Sequence, residues 1–432
     1  MTRTPPPAGE PASAKDDLAS ADDDRASAND DHERRAAIWS AVYHFLLLAA
    51  YYVIRPLRDA MGLRGTVKAL PWLMMATLVT MALATPLFTA LVERMPRRRF
   101  VPLVYHGFAL QLVGFAWLLG VHHDQGPPMW AARAFFIWTS VFNLFAVSVF
   151  WGFMADRFTP AAAARRYGLV ALGGTLGAIA GALVTTLLTR AIGPTRLPLV
   201  AALLVEAAVF CFFRVDDGQV TRARFDSRSG SRNPVAFVAA LVRSPLLACL
   251  AGYLLLYTVT STFAYLEQAR LVQTAVTSEV ARTTLFARMD LWVNLASIVL
   301  QALATRWFLA RLGVTATLLL LPALTLVGFV ALALRPSLML IIAFQVARRT
   351  TDYFAARPAR ELCYVVVGRD DKYAAKSFID TFVYRGGDAL GAGAFGLVGA
   401  VAPMVALPLC ALWLGVALLL GRLQRQAVTR GL

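Results

Sequence analysis

Long apolar runs separated by short polar breaks make up most of the chain. A helix needs roughly 20 apolar residues to cross a bilayer. Runs of that kind fall at about 36–55, 70–92, 100–121, 130–153, 168–190, 197–214, 245–266, 286–308, 313–334, 337–355, 377–400 and 402–421, so twelve crossings are expected. The breaks at His122–Pro128 and Asp156–Arg166 are sharp, and Gly193, Pro194 and Pro198 punctuate the turn near 190–197. The longest interior polar segment, 214–244, carries Arg214, Asp216, Asp217, Arg222, Arg224, Arg228, Arg232 and Arg243, and divides six spans from six. The pattern predicts an all-α polytopic membrane protein with 12 transmembrane helices in two six-helix bundles. Its expected parts are a cytoplasmic tail (1–35), an N-terminal bundle (36–214), a cytoplasmic linker (215–244), a C-terminal bundle (245–421) and a second tail (422–432). The Asp/Ala/Ser/Pro-rich start has no apolar run, which predicts disorder and argues against a signal or transit peptide.

Composition sharpens this picture. The chain is 58% hydrophobic and only 16% charged, far from a soluble domain. Its formal net charge of +16 does not point to nucleic acid, because Arg and Lys sit between apolar spans. With the N-terminus inside, the cytoplasmic segments carry Arg94 and Arg97–Arg99, Arg157 with Arg165 and Arg166, the 214–244 cluster, Arg306 and Arg311, Arg348–Lys376, and Arg422, Arg425 and Arg430. Arg55–Lys68 is the exception. The bias predicts both termini in the cytoplasm. Four cysteines without paired spacing predict neither a disulfide framework nor a zinc site. No P-loop, HExxH or Ser-His-Asp arrangement is present, so neither an enzyme nor a cofactor is expected.

The halves echo each other. Gly173-Gly174-Thr175-Leu176-Gly177-Ala178 lies in the fifth span and Gly386-Gly387-Asp388-Ala389-Leu390-Gly391-Ala392 in the eleventh, the fifth of the second half. Short basic turns, Leu91–Arg99 and Leu309–Gly313, follow the second and eighth spans. Weak self-similarity of this kind marks transporters with the site between their halves.

Ionisable residues within apolar spans are the functional candidates. Arg55 and Asp59 are four apart and share a helix face beside Pro56. A guanidinium offers a planar fork to phosphate or carboxylate. On position alone, Arg55 and Arg58 equally read as snorkelling to the outer interface, with Tyr51 and Tyr52 as belt residues. In the eleventh span, Asp380, Tyr384, Gly387 and Gly391 share a face, and Arg385 and Asp388 can neutralise each other. Structural pairing suits Asp388; lining a path suits Arg385. Between the tenth and eleventh spans, Pro358 predicts the first turn of a short in-plane helix on which Arg357 and Glu361 pair as a gate or latch. Glu206, alone in the sixth span, can carry a coupling proton or bond a neighbouring helix. His44, Arg133, Asn143, Arg288, Asp290, Asn294, Arg348, Arg349 and Asp352 are further polar residues without an assigned role.

Tyr51-Tyr52-Val53-Ile54-Arg55-Pro56-Leu57-Arg58-Asp59-Ala60-Met61-Gly62 resembles a signature of bacterial proteins related to the ATP/ADP translocases of intracellular bacteria and plastids. Arg357-Pro358-Ala359-Arg360-Glu361, Asp371-Lys372-Tyr373, Lys376 and Ile379-Asp380-Thr381-Phe382-Val383-Tyr384-Arg385-Gly386-Gly387-Asp388 are similar to the same group. The resemblance implies the major facilitator fold, alternating access, and exchange of phosphorylated solutes such as nucleotides. Nucleotide-exchanging members are expected to use intramembrane lysines, whereas Lys15, Lys68, Lys372 and Lys376 all lie outside the depth of a span here. The expectation is therefore a secondary transporter of an organic, anionic solute in the bacterial inner membrane. Arg55, Arg58 and Arg385 are its cation candidates, with Arg385 the first choice, and Asp59, Asp380 and Asp388 balance or gate them. The alternatives are proton-coupled efflux of an apolar compound through Glu206, and a non-transporting membrane scaffold or sensor.

Overall fold

The computed structural model describes residues 12–121, 126–216, 244–367 and 379–429, with backbone alone at 12–29, 380 and 381. The described chain is helical almost throughout. The N-terminal half holds α1 (Ala12–Gly62), α2 (Leu70–Arg94), α3 (Arg97–Gly120), α4 (Met129–Arg157), α5 (Pro160–Ile192) and α6 (Leu197–Val215). The C-terminal half holds α7 (Pro245–Ala275), α8 (Glu279–Leu303), a short α9 (Thr305–Arg311), α10 (Gly313–Leu334), α11 (Leu338–Thr351), α12 (Arg357–Val365), α13 (Tyr384–Val398) and α14 (Ala402–Thr429). Among the described residues, ten helical segments are long and apolar enough to cross a membrane. The last of these, Tyr384–Thr429, contains two of the expected spans, and α11 supplies the remaining one.

Local chemistry fixes many of the ends. Thr159, Ser244, Ser278 and Ser337 accept hydrogen bonds from backbone N–H groups three residues on, and so cap α5, α7, α8 and α11. Pro160 and Pro245 follow two of these caps, where a missing N–H is harmless. Gly399, with φ of 56°, breaks the α13–α14 segment.

Three expectations need correction. The first helix begins at Ala12, inside the tail expected to be disordered. The eighth span runs Glu279–Leu303 and ends before a separate short helix. The Arg357 segment is no isolated in-plane helix. A π-helical turn, Asp352–Ala356, joins α11 directly to α12. Asp370, Asp371, Lys372 and most of the 215–244 linker lie outside the described residues.

The small-residue stripes explain how each half is built. On α5, a side chain at Gly173, Gly177 or Gly181 would strike the backbone oxygens of Ala41, Phe45 or Ala49 on α1. On α13, one at Gly387 or Gly391 would strike Thr258 or Thr262 on α7. The fifth span of each half thus lies directly against the first, at distances only glycine permits.

The halves meet through α1 and α5 against α8, and α2 against α13. At the end holding the α1 C-terminus they share one buried cluster, in which Leu63, Leu70 and Leu73 meet Phe263, Phe286 and Phe395. Polar ties reinforce this seal. Gln273 donates from Nε2 to the carbonyls of Leu63 (3.0 Å) and Gly65 (2.8 Å), and accepts from the Val67 N–H. Arg64 pairs with Glu279. Two further buried clusters each lie within one half, one in the N-terminal half and one in the C-terminal half. Among the described residues, the buried cluster shared by the halves lies at the end holding the α1 C-terminus.

Candidate functional site

Between the halves, under the seal, lies a cavity of about 350 Å³. Among the described residues, six arginines line it (Arg55, Arg58, Arg348, Arg349, Arg357 and Arg385), along with four aspartates (Asp59, Asp290, Asp352 and Asp388). With all of these ionised, these ten side chains carry two more positive charges than negative.

The α1 residues do not snorkel outward. Arg55 reaches across to α8, where Nη1 donates to Asp290 Oδ1 at 2.9 Å. Its expected partner Asp59 instead accepts from Arg58 Nη1 (3.1 Å) and from the Tyr265 hydroxyl of α7 (3.1 Å). The Arg58 guanidinium also lies 4.1 Å over the Phe136 ring. Arg349 Nη1 stands 2.8 Å from the same Asp290 oxygen that Arg55 uses.

On the C-terminal wall, Asp352 is 2% exposed and collects three donors. Arg357 Nε binds Oδ2 at 2.8 Å, Arg360 Nη1 binds Oδ1 at 3.0 Å, and the Tyr257 hydroxyl binds Oδ2 at 3.2 Å. The expected Arg357–Glu361 latch therefore gives way to an Arg357–Asp352 pair. Glu361 is exposed and does not line the cavity. Arg348 is also 2% exposed. It donates to Ser261 Oγ (2.9 Å) and to the Tyr257 carbonyl (3.2 Å), and its Nε has no hydrogen-bond partner. Among the described residues it forms no ion pair. Arg385 Nη1 stands 3.7 Å from Asp388 Oδ2, and Asp388 Oδ1 accepts from Thr262 (3.3 Å). The side chain of Asp380 lies outside the described residues.

Glu206 sits elsewhere. It is not alone: it pairs with His106 Nδ1 at 2.9 Å, and both line a groove between α3 and α6 on the outside of the N-terminal half.

Of the residues expected at the site, Arg55, Arg58, Asp59, Arg357, Arg385 and Asp388 line the cavity. Asp290, Arg348, Arg349 and Asp352, polar residues without a role expected from sequence, line it as well. The usable signal was four ionisable residues inside apolar spans, three of them within one turn at 348–352.

No protein-family model and no curated protein matches the chain. Solved structures do. A mutant of the nucleoside transporter NupG superposes with a TM-score of 0.64 at 13% identity, covering 91% of this chain and 99% of that one. A bacterial homologue of the iron transporter ferroportin, in an inward-facing state, gives 0.65 at 10%, covering 90% and 98%. The POT family transporter PepTSo gives 0.63 at 12%, covering 91% and 98%. The chain is an all-α integral membrane protein with the major facilitator fold.

Proposed function

We propose that this protein is a secondary active transporter that moves an organic anion by alternating access through the central cavity. The observation that carries this reading is Arg348. A charged residue within a span is expensive to keep, and this one is buried, faces the cavity and has no carboxylate partner among the described residues. Together with the excess of arginine around the wall, it leaves positive charge for a cargo to neutralise. Arg385, 39% exposed and loosely held by Asp388, offers a second contact. The likeness to the ATP/ADP translocase group favours a phosphorylated, nucleotide-like cargo and an exchange mode. The apolar-efflux reading has lost its motivating residue, since Glu206 lies outside the cavity.

With both termini cytoplasmic in a bacterial inner membrane, the sealed end at the α1 C-terminus faces away from the cytoplasm. Reporter fusions at Gln125 and Ser229 then report opposite sides of the membrane; the same side for both would refute this orientation. The test of function is an uptake screen in proteoliposomes against nucleotides, phosphate esters and carboxylates. Accumulation of at least one anion is expected, with a substantial loss in Arg385→Lys and a larger one in Arg385→Ala. Accumulation of apolar or cationic solutes alone would refute the reading.

A further inference from the structure

The following rests on the transport reading and deepens it. Arg55 comes from the N-terminal half, and Arg349 and Asp290 come from the C-terminal half. Both guanidiniums crowd a single oxygen, Asp290 Oδ1, at 2.9 and 2.8 Å. The other oxygen, Oδ2, is buried with no hydrogen-bond partner, and so is Nη2 of Arg349. A carboxylate can accept about four hydrogen bonds over its two oxygens, and a guanidinium binds an oxyanion best through two parallel bonds. Neither fork is filled here. The Asp290 side chain is 4% exposed, and the triad keeps one uncompensated positive charge. All three residues line the cavity.

We propose that Arg55 and Arg349 form an anion subsite spanning the two halves, which Asp290 occupies in the empty cavity and from which an oxyanion group of the cargo displaces it. A phosphate group presents three terminal oxygens and can fill both forks, including the orphaned Nη2, where Asp290 offers one. The aspartate holds the halves together while the cavity is empty. The cargo takes over that tie when it binds, so the two cations never face each other bare.

The probe is inorganic pyrophosphate, added to the purified full-length chain in detergent, with binding read by calorimetry and stability by thermal unfolding. Asp290→Asn keeps the shape and removes the internal anion. It is expected to melt below wild type without anion, to recover on adding pyrophosphate, and to bind pyrophosphate at least about tenfold more tightly than wild type. A variant whose stability pyrophosphate does not restore, or one that binds no more tightly than wild type, overturns the displacement and returns Asp290 to a purely structural tie. Should Asp290→Asn not fold, Arg349→Gln decides. It keeps one cation on Asp290 and is expected to weaken pyrophosphate binding about tenfold, and unchanged binding overturns the subsite. The uptake screen is independent of these results. Anion uptake with no displacement leaves the transport reading standing, and displacement with no uptake of any anion refutes transport alone.

Discussion

Beneath the first helix of the N-terminal half, the Tyr43 ring meets Tyr105 edge-on at 6.0 Å and Phe150 at 4.9 Å, and the Tyr105 hydroxyl donates to the Ala146 carbonyl. Beneath the first helix of the C-terminal half, Tyr257 donates instead to Asp352, which also holds Arg357 and Arg360. One half is packed with rings; the other has ions inside its core. In the first, stability comes from apolar burial and shape, which tolerate repacking. In the second, the groups that hold the half together also face the cavity, so stability and cargo contact depend on the same side chains. The N-terminal half lends charge to the site mainly through one helix, at Arg55, Arg58 and Asp59 on α1.

The sharpest way to break this contrast is Arg348→Met. Truncating a buried, hydrogen-bonded charge costs 2–5 kcal/mol in binding, so uptake is expected to fall roughly 30-fold or more. Replacing a buried ion by an apolar side chain is often neutral for stability, so the melting temperature should hold. A variant that transports normally would remove Arg348 from the cargo path. Next in size is Asp352→Asn. Removing one partner of a buried ionic cluster costs about 3–5 kcal/mol, and thermal unfolding in detergent should show a clear drop together with lost uptake. A stable, inactive variant would separate the two roles assigned to this residue.

The third prediction concerns the other half. Gly177→Leu forces a side chain into the Phe45 carbonyl and should cost about 1–3 kcal/mol of stability. Gly393→Leu, with nothing within 4 Å of a new Cβ, should leave stability unchanged. Equal losses in both would show that the stripe is not what brings α5 onto α1. The smallest effect is expected from Glu206→Gln, with uptake within about twofold of wild type because the His106 pair lies outside the cavity. Loss of uptake there would reinstate Glu206 as a proton carrier.

Much of the fold was legible in the sequence because apolar run length reports membrane crossing directly, and the glycine stripes report close approach. Arg55, Arg58 and Asp59 were legible as costly residues, but their partners were not. Arg55 meets Asp290 across 235 positions, a pairing that only the docking of two halves creates. Local spacing suggested Arg55–Asp59 and Arg357–Glu361, both reasonable on an isolated helix and both replaced once α8 and the Asp352 turn came into reach. The start of α1 misled for a related reason. Its composition reads as disordered, yet Asp30 and Glu33 lie against Arg166 (2.5 Å) and Arg165 (3.2 Å) of α5.

The π-helical turn at Asp352–Ala356 carries a consequence of its own. Residues five apart on an α-helix point about 140° away from each other, yet Arg357 binds Asp352 at 2.8 Å. The wider i→i+5 turn brings them over one another. The count of residues in this turn is one more than an α turn holds, and the π geometry absorbs the extra one. Point substitutions leave that count intact. A single-codon deletion at Phe354 or Ala355 would tighten the turn to α geometry and place Arg357 four residues after Asp352, about 40° past a full turn, so the two would stay on one face. Over evolutionary time, this turn is a place where the chain can lose a residue and still keep the charge pattern of the wall.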